Sequence, residues 1–102
     1  MIYSIAVEKP QDLLGTVVIS KRGRDAGRPC VIIGWLPGDY ALIADGRRRT
    51  AAKPKKKNMK HLIFTQYRIK SLGEMLLAGA QVTDRMIRQE LAVIGERSGE
   101  GP

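Results

Sequence analysis

One cysteine, one histidine and five aromatic residues among 102 positions leave this chain little material for most kinds of protein chemistry. Cys30 has no partner for an intramolecular disulfide. It sits in an apolar run, so a reduced, buried thiol in a cytoplasmic protein is the expectation. His61 and Cys30 are too few to assemble a Cys/His metal site from one chain, and no metal or other cofactor is expected. Ser20 and Ser71 have no His–carboxylate pair nearby in sequence, and the ten acidic residues are scattered. The chain is therefore read as a non-enzyme. With so few aromatics, recognition resting mainly on base stacking is disfavoured, and Trp35 and Tyr40 are read as packing residues ahead of stacking platforms. No apolar stretch approaches the roughly 20 residues of a membrane span. The start of the chain, MIYSIAVEKP, lacks the basic n-region and small-residue cleavage pattern of a signal peptide.

What the chain has is positive charge in one place. The net charge is +8, and eight cations with no acidic residue lie between positions 47 and 60: Arg47, Arg48, Arg49, Lys53, Lys55, Lys56, Lys57 and Lys60. Without those eight, ten basic residues face ten acidic ones. Solubility does not call for such concentration. A polyanion rewards it, because each neutralised phosphate releases counterions.

The basic residues are interleaved with short β-branched runs. Residues 16–20 (TVVIS) and 29–36 (PCVIIGWL) read as the first two strands. The loop between them, KRGRDAGR, adds Lys21, Arg22, Arg24 and Arg28, with Asp25 as an Asx-turn residue. Gly27 stands where the chain turns back, a place for positive φ. Pro37 and Gly38 suit the centre of a type II turn leading to a third strand at 40–44. Asp45-Gly46 is a short-hairpin signal, which predicts a fourth strand at 47–50. Residues 51–58, with Pro54 and the lysine run, then read as a loop, and 60–65 as a fifth strand.

Five short strands in about fifty residues predict a small, mainly β, five-stranded SH3-like barrel. The second strand is apolar on both sides: alternation puts Val31, Ile33 and Trp35 on one face and Cys30, Ile32 and Leu36 on the other. One face fills the barrel and the other needs a cover. The C-terminal third predicts two short helices to supply it. Ser71 with Glu74 forms a capping box for the first, which Gly79 ends. Thr83-Asp84 opens the second, whose Met86, Ile87, Leu91 and Ile94 share one side. The expected organisation is an extension at 1–14, the barrel at 15–67 and a helical segment at 68–102.

The stretch SKRGRDAGR, followed by IADG and then PKKKNMKHL, resembles a KOW motif. More narrowly, it is similar to the KOW barrel of the large-subunit ribosomal protein family called L-fourteen in eukaryotes and archaea, and to bacterial KOW-domain RNA-binding proteins. The matching positions include Gly15, Val17, Val18, Ser20, Gly23 to Asp25, Gly27, Arg28, Ile43 to Gly46, Arg49, Pro54 to Lys57 and Lys60 to Leu62. They cover roughly half the chain. The resemblance implies a KOW barrel that binds RNA, with ribosomal RNA and the ribosome as its expected targets.

The candidate RNA-binding residues are Lys21, Arg22, Arg24, Arg28, Arg47, Arg48, Arg49, Lys53, Lys55, Lys56, Lys57, Lys60 and His61. Arginine suits bidentate phosphate contact and lysine acts as a point charge. The arginine triplet, the lysine run and the first loop are expected to converge on one rim. Such contacts orient a protein without reading sequence, so structured RNA recognised by shape is the expected target. The competing reading is a KOW protein-interaction module of the NusG type, binding a ribosomal or transcription protein. Membrane attachment is disfavoured, since no lipidation motif or basic amphipathic helix accompanies the lysines. The free protein is expected to be monomeric.

Overall fold

The computed structural model describes residues 10–23 and 26–98. The expectations for the first nine residues, for Arg24 and Asp25, and for the tail at 99–102 lie outside the described residues. A 3-10 turn at Pro10–Leu13 leads into strands β1 (Thr16–Ser20), β2 (Pro29–Leu36), β3 (Tyr40–Ala44), β4 (Lys55–Asn58) and β5 (Leu62–Arg68). Helices α1 (Lys70–Leu77) and α2 (Asp84–Ser98) follow. The strands form one antiparallel sheet in the order β4-β3-β2-β1-β5, the small SH3-like barrel with C-terminal helices that the β-branched runs predict.

The two apolar faces of β2 end in two separate cores. Cys30 and Ile32 point inward with Leu13, Val18, Ala41, Ile43, Met59 and Leu62. Val31 points outward with Val17 and Ala44, under Ile69, Leu72, Val82 and Ile87 of the C-terminal segment. Met86, Leu91 and Ile94 join this outer core from the predicted stripe of α2. Alternation holds as far as Ile33 and then fails. Ile32 pairs with Ile43 but Gly34 with Leu42, so one extra residue of β2 is accommodated there. Beyond the bulge Trp35 pairs with Ala41, an inward-facing position, and emerges 39% exposed. Burial of Trp35 in a core is thus corrected: it edges a shallow apolar groove with Leu14, Ile33, Leu76 and Leu77. A second irregularity, opposite Val17, bends β5. There the Thr65 hydroxyl donates to the Val17 carbonyl at 2.6 Å and accepts from Tyr67 N–H at 3.1 Å, which satisfies groups the broken ladder leaves over.

Two further expectations are corrected. Residues 47–50 are not a strand. The Asp45 carboxylate accepts from the amides of Arg47 (2.9 Å) and Arg49 (3.0 Å), and the amides of Asp45 and Gly46 both donate to the Arg49 carbonyl. Asp45 folds the arginine triplet back on itself as a loop, which consumes the amides that a strand would need. The fourth strand is instead the lysine run, read from sequence as a loop. Lys55, Lys56 and Lys57 pair with Ile43, Leu42 and Ala41 at the edge of the sheet. Pro54 immediately precedes the strand, where its missing N–H costs nothing, and lysines are common at sheet edges because they block further pairing. The strand's alternation also sends neighbouring ammonium groups to opposite faces, easing their repulsion.

The helices meet the barrel through close backbone contacts. A Cβ added at Gly73 in α1 meets the Leu14 carbonyl at 2.6 Å, and Arg68 Nε donates to that same carbonyl at 3.0 Å. α1 begins after Ile69 with no side-chain cap, so Ser71 lies within the helix and the expected capping box is not made. Its other end fits expectation: Gly79 has φ 77°, with Gly79 N–H donating to Leu76 O and Ala80 N–H to Met75 O, a Schellman motif. Thr83 Oγ1 accepts from Met86 N–H at the start of α2. Gly46, in the loop after β3, lies against that helix: a Cβ there would be 2.6 Å from the Asp84 carbonyl and 2.8 Å from Arg88 Cγ. Among the described residues no helix is long and apolar enough to cross a membrane.

Candidate nucleic-acid interface

The expected single rim resolves into two basic groups that share the β1–β2 loop. The first forms where that loop meets β4 and the 3-10 turn Met59–His61. The Lys57 ammonium donates to the Arg22 carbonyl at 2.8 Å, Lys21 Nζ reaches the Lys60 carbonyl at 3.5 Å, and Lys21 N–H donates to the His61 carbonyl at 2.8 Å. Ser20, buried at the end of β1, donates its hydroxyl to the Arg22 carbonyl, and Asn58 caps the turn by accepting from Lys60 N–H. These bonds fix the backbone from which Lys21, Arg22, Lys57, Lys60 and His61 project.

His61 registers the field of this group. Its pKa is lowered from the ordinary 6.5, first by partial desolvation and then by Arg22, Lys60, Lys57 and Lys21. The ring is thus held neutral at neutral pH, able to donate or accept a hydrogen bond. Four cations facing one imidazole mark a surface of positive potential, which an anion would relieve.

Within β4 the three lysines differ. Lys55 and Lys57 stand opposite the inward-facing Ile43 and Ala41 and are half-buried. Lys56 is exposed, with its ammonium 4.5 Å from the centroid of the Tyr40 ring. That cation–π contact occupies a face of Tyr40 which base stacking would need. Lys53 is exposed in the loop before β4, with its amide held by Thr50.

The second group lies at the opposite end of the shared loop. Arg28 and Arg47 line a cleft of about 230 Å³ with Pro29, Asp45, Leu91, Ala92 and Arg88 from α2. Arg48 is exposed and Arg49 half-buried in the Asp45-capped loop. Arg88 was not among the residues singled out from sequence. Its place in helical spacing, four residues after Asp84 and three before Leu91, gives a stripe but not the barrel loop it meets. No group of His, Cys, Asp and Glu among the described residues is placed to hold a metal ion.

Fold and charge together define the class as a small basic SH3-like barrel with its cations on the loops and edge strand. No protein-family model matches the chain. Over 57 residues, 56% of this chain and 59% of the relative, it is 33% identical to the large ribosomal subunit protein eL14 of Desulfurococcus amylolyticus. It is also 33% identical over 49 residues, 48% of this chain and 51% of the relative, to eL14 of Staphylothermus marinus. The chain therefore spans between half and three-fifths of the length of these curated relatives. The resemblance to this ribosomal family has support over about half the chain. Both relatives are archaeal, and the bacterial affiliation gains no support from them.

Proposed function

We propose that this protein is a KOW-type RNA-binding protein that docks on structured ribosomal RNA through phosphate contacts, acting by binding and not by catalysis. The observation that carries the reading is the convergence of Lys21, Arg22, Lys57, Lys60 and His61 around one loop junction with no ion-pairing carboxylate among the described residues. Similarity to two large-subunit ribosomal proteins supports the ribosome as the place of docking. On this reading residues 15–67 are the RNA-binding unit, and the helical segment after them supports it from behind. Arg24, Arg48, Lys53, Lys55 and Lys56 add to the field, and the protein works as a cytoplasmic monomer until it meets the particle. The NusG-type alternative gains no support from the comparisons.

Ultraviolet crosslinking in cells, with sequencing of the attached RNA and sedimentation of the protein through a sucrose gradient, tests this. The expected result is enrichment of ribosomal RNA crosslinks and migration with large-subunit particles. Migration wholly in ribosome-free fractions without ribosomal RNA overturns the proposal.

A further inference from the structure

The cleft between the barrel and α2 is lined by three arginines from three different elements. Arg28 closes the β1–β2 loop, Arg47 belongs to the loop after β3, and Arg88 comes from the second turn of α2. No carboxylate among the described residues forms an ion pair with any of them. Asp45 also lines the cleft, but it is 7% exposed and its Oδ1 already accepts from the amides of Arg47 and Arg49. One anion thus stands against three cations, and its hydrogen-bonding capacity is partly spent on the loop backbone.

The cleft is built in advance of any ligand. Arg88 Nη1 donates to the Gly46 carbonyl at 2.7 Å, which fixes the guanidinium across the junction and leaves its other N–H groups for a second acceptor. The backbone at Arg47 is held by Asp45. Pro29, Leu91 and Ala92 make an apolar wall beside the charges. A wall that excludes water strengthens electrostatic contact with an anion. It also gives the non-polar edge of a sugar something to pack against. Planar forks around a small pocket match the tetrahedral oxygens of a phosphate better than lysine ammonium groups do.

We infer that the Arg28–Arg47–Arg88 cleft is a second RNA-binding site, which holds one backbone phosphodiester with its ribose against Leu91 and Ala92. This rests on the RNA-binding reading above and extends it to a residue of α2. The β1–β2 loop then carries two phosphate contacts, Lys21 and Arg22 serving one and Arg28 the other. An RNA strand following that loop would touch the barrel and the helix together. The helical segment thereby becomes part of the binding surface as well as a cover.

The test compares the intact protein with Arg28→Gln and Arg88→Lys in titrations of a structured ribosomal RNA fragment across a salt series. Arg28 is exposed, so Arg28→Gln is expected to melt as the parent does. Loss of one phosphate contact should make the slope of log K against log salt shallower by about 0.7–0.9. Arg88→Lys keeps the charge but not the fork, so it should lower affinity while leaving the slope close to that of the parent. If the parent shows no salt-dependent RNA binding, the underlying reading fails and this site with it. If the parent binds and Arg28→Gln binds with unchanged slope and affinity, the cleft is not a phosphate site and the wider reading stands.

Discussion

The inner and outer cores share the central strands yet differ in what closes them. The inner core is filled by strands and by Met59, with Leu13 of the preceding 3-10 turn, and takes no residue from the helical segment. The outer core needs Ile69, Leu72, Val82 and Ile87 from outside the barrel. The first cations of the β1–β2 loop, with β4 and the following turn, lie at the barrel's rim, whereas Arg28 and Arg47 lie where barrel and helix meet. The comparison teaches that the helices are a structural requirement of a sheet with two apolar faces. Charge was free to collect at the edges that neither core uses.

The most severe way to break this division is to remove the cover. Truncation after Tyr67 takes away four buried side chains, each contributing about 1.5–3 kcal/mol. That loss is comparable to the whole net stability of about 5–15 kcal/mol of a small domain. The truncated chain should lose its cooperative melting transition by circular dichroism. A transition near the parent's would show that the barrel stands without its helices.

A pair of glycines sharpens the comparison at lower cost. Gly27 and Gly46 both have positive φ, 80° and 81°. A Cβ at Gly27 meets nothing within 4 Å, whereas at Gly46 it meets the α2 backbone. Gly27→Val should therefore cost only the backbone strain, about 1–3 kcal/mol. Gly46→Val should cost more, since strain and displacement of α2 add. Chemical denaturation of both variants checks the order, and equal losses would show that the junction at Gly46 yields.

These two glycines also show what the sequence could carry. A turn at Gly27 was legible because a glycine after a basic loop and before a β-branched run has a local meaning. The need for glycine at Gly46 was not, because the atom it avoids belongs to a residue 38 positions on. The strand runs and the apolar stripe of α2 were legible from periodicity. The misplaced fourth strand came from reading Asp45-Gly46 as a hairpin, when the Asp45 side chain takes up the amides that follow. A lysine run carries no strand signal of its own, and its pairing with Tyr40–Ala44 is decided by the edge that β3 offers. As for the site, the cations were legible as a set, but their division between two places depends on the barrel's closure and on α2.

A smaller effect distinguishes the rim from both cores. The field that keeps His61 neutral in the free protein is weakened when phosphates neutralise Lys21, Arg22, Lys57 and Lys60, so the pKa of His61 should rise on binding RNA. Affinity should then increase as pH falls from the raised pKa of the RNA-bound state toward the lowered pKa of the free protein, and His61→Gln should remove that increase. The stability of the free protein moves the other way. With the folded-state pKa below the unfolded value, the unfolded chain takes up the proton first, and stability falls slightly from about pH 6.5 downward. Affinity that is flat with pH in the parent would remove His61 from the interface.

The central claim is that the protein recognises RNA by its phosphates, and the salt dependence of binding tests it most directly. With about five of the clustered cations in contact, log K for a structured ribosomal RNA fragment should fall against log salt with a slope of about −3.5 to −4.5. A slope near zero would contradict it, whereas binding of duplex DNA as tight as that of ribosomal RNA would argue for generic polycation adhesion.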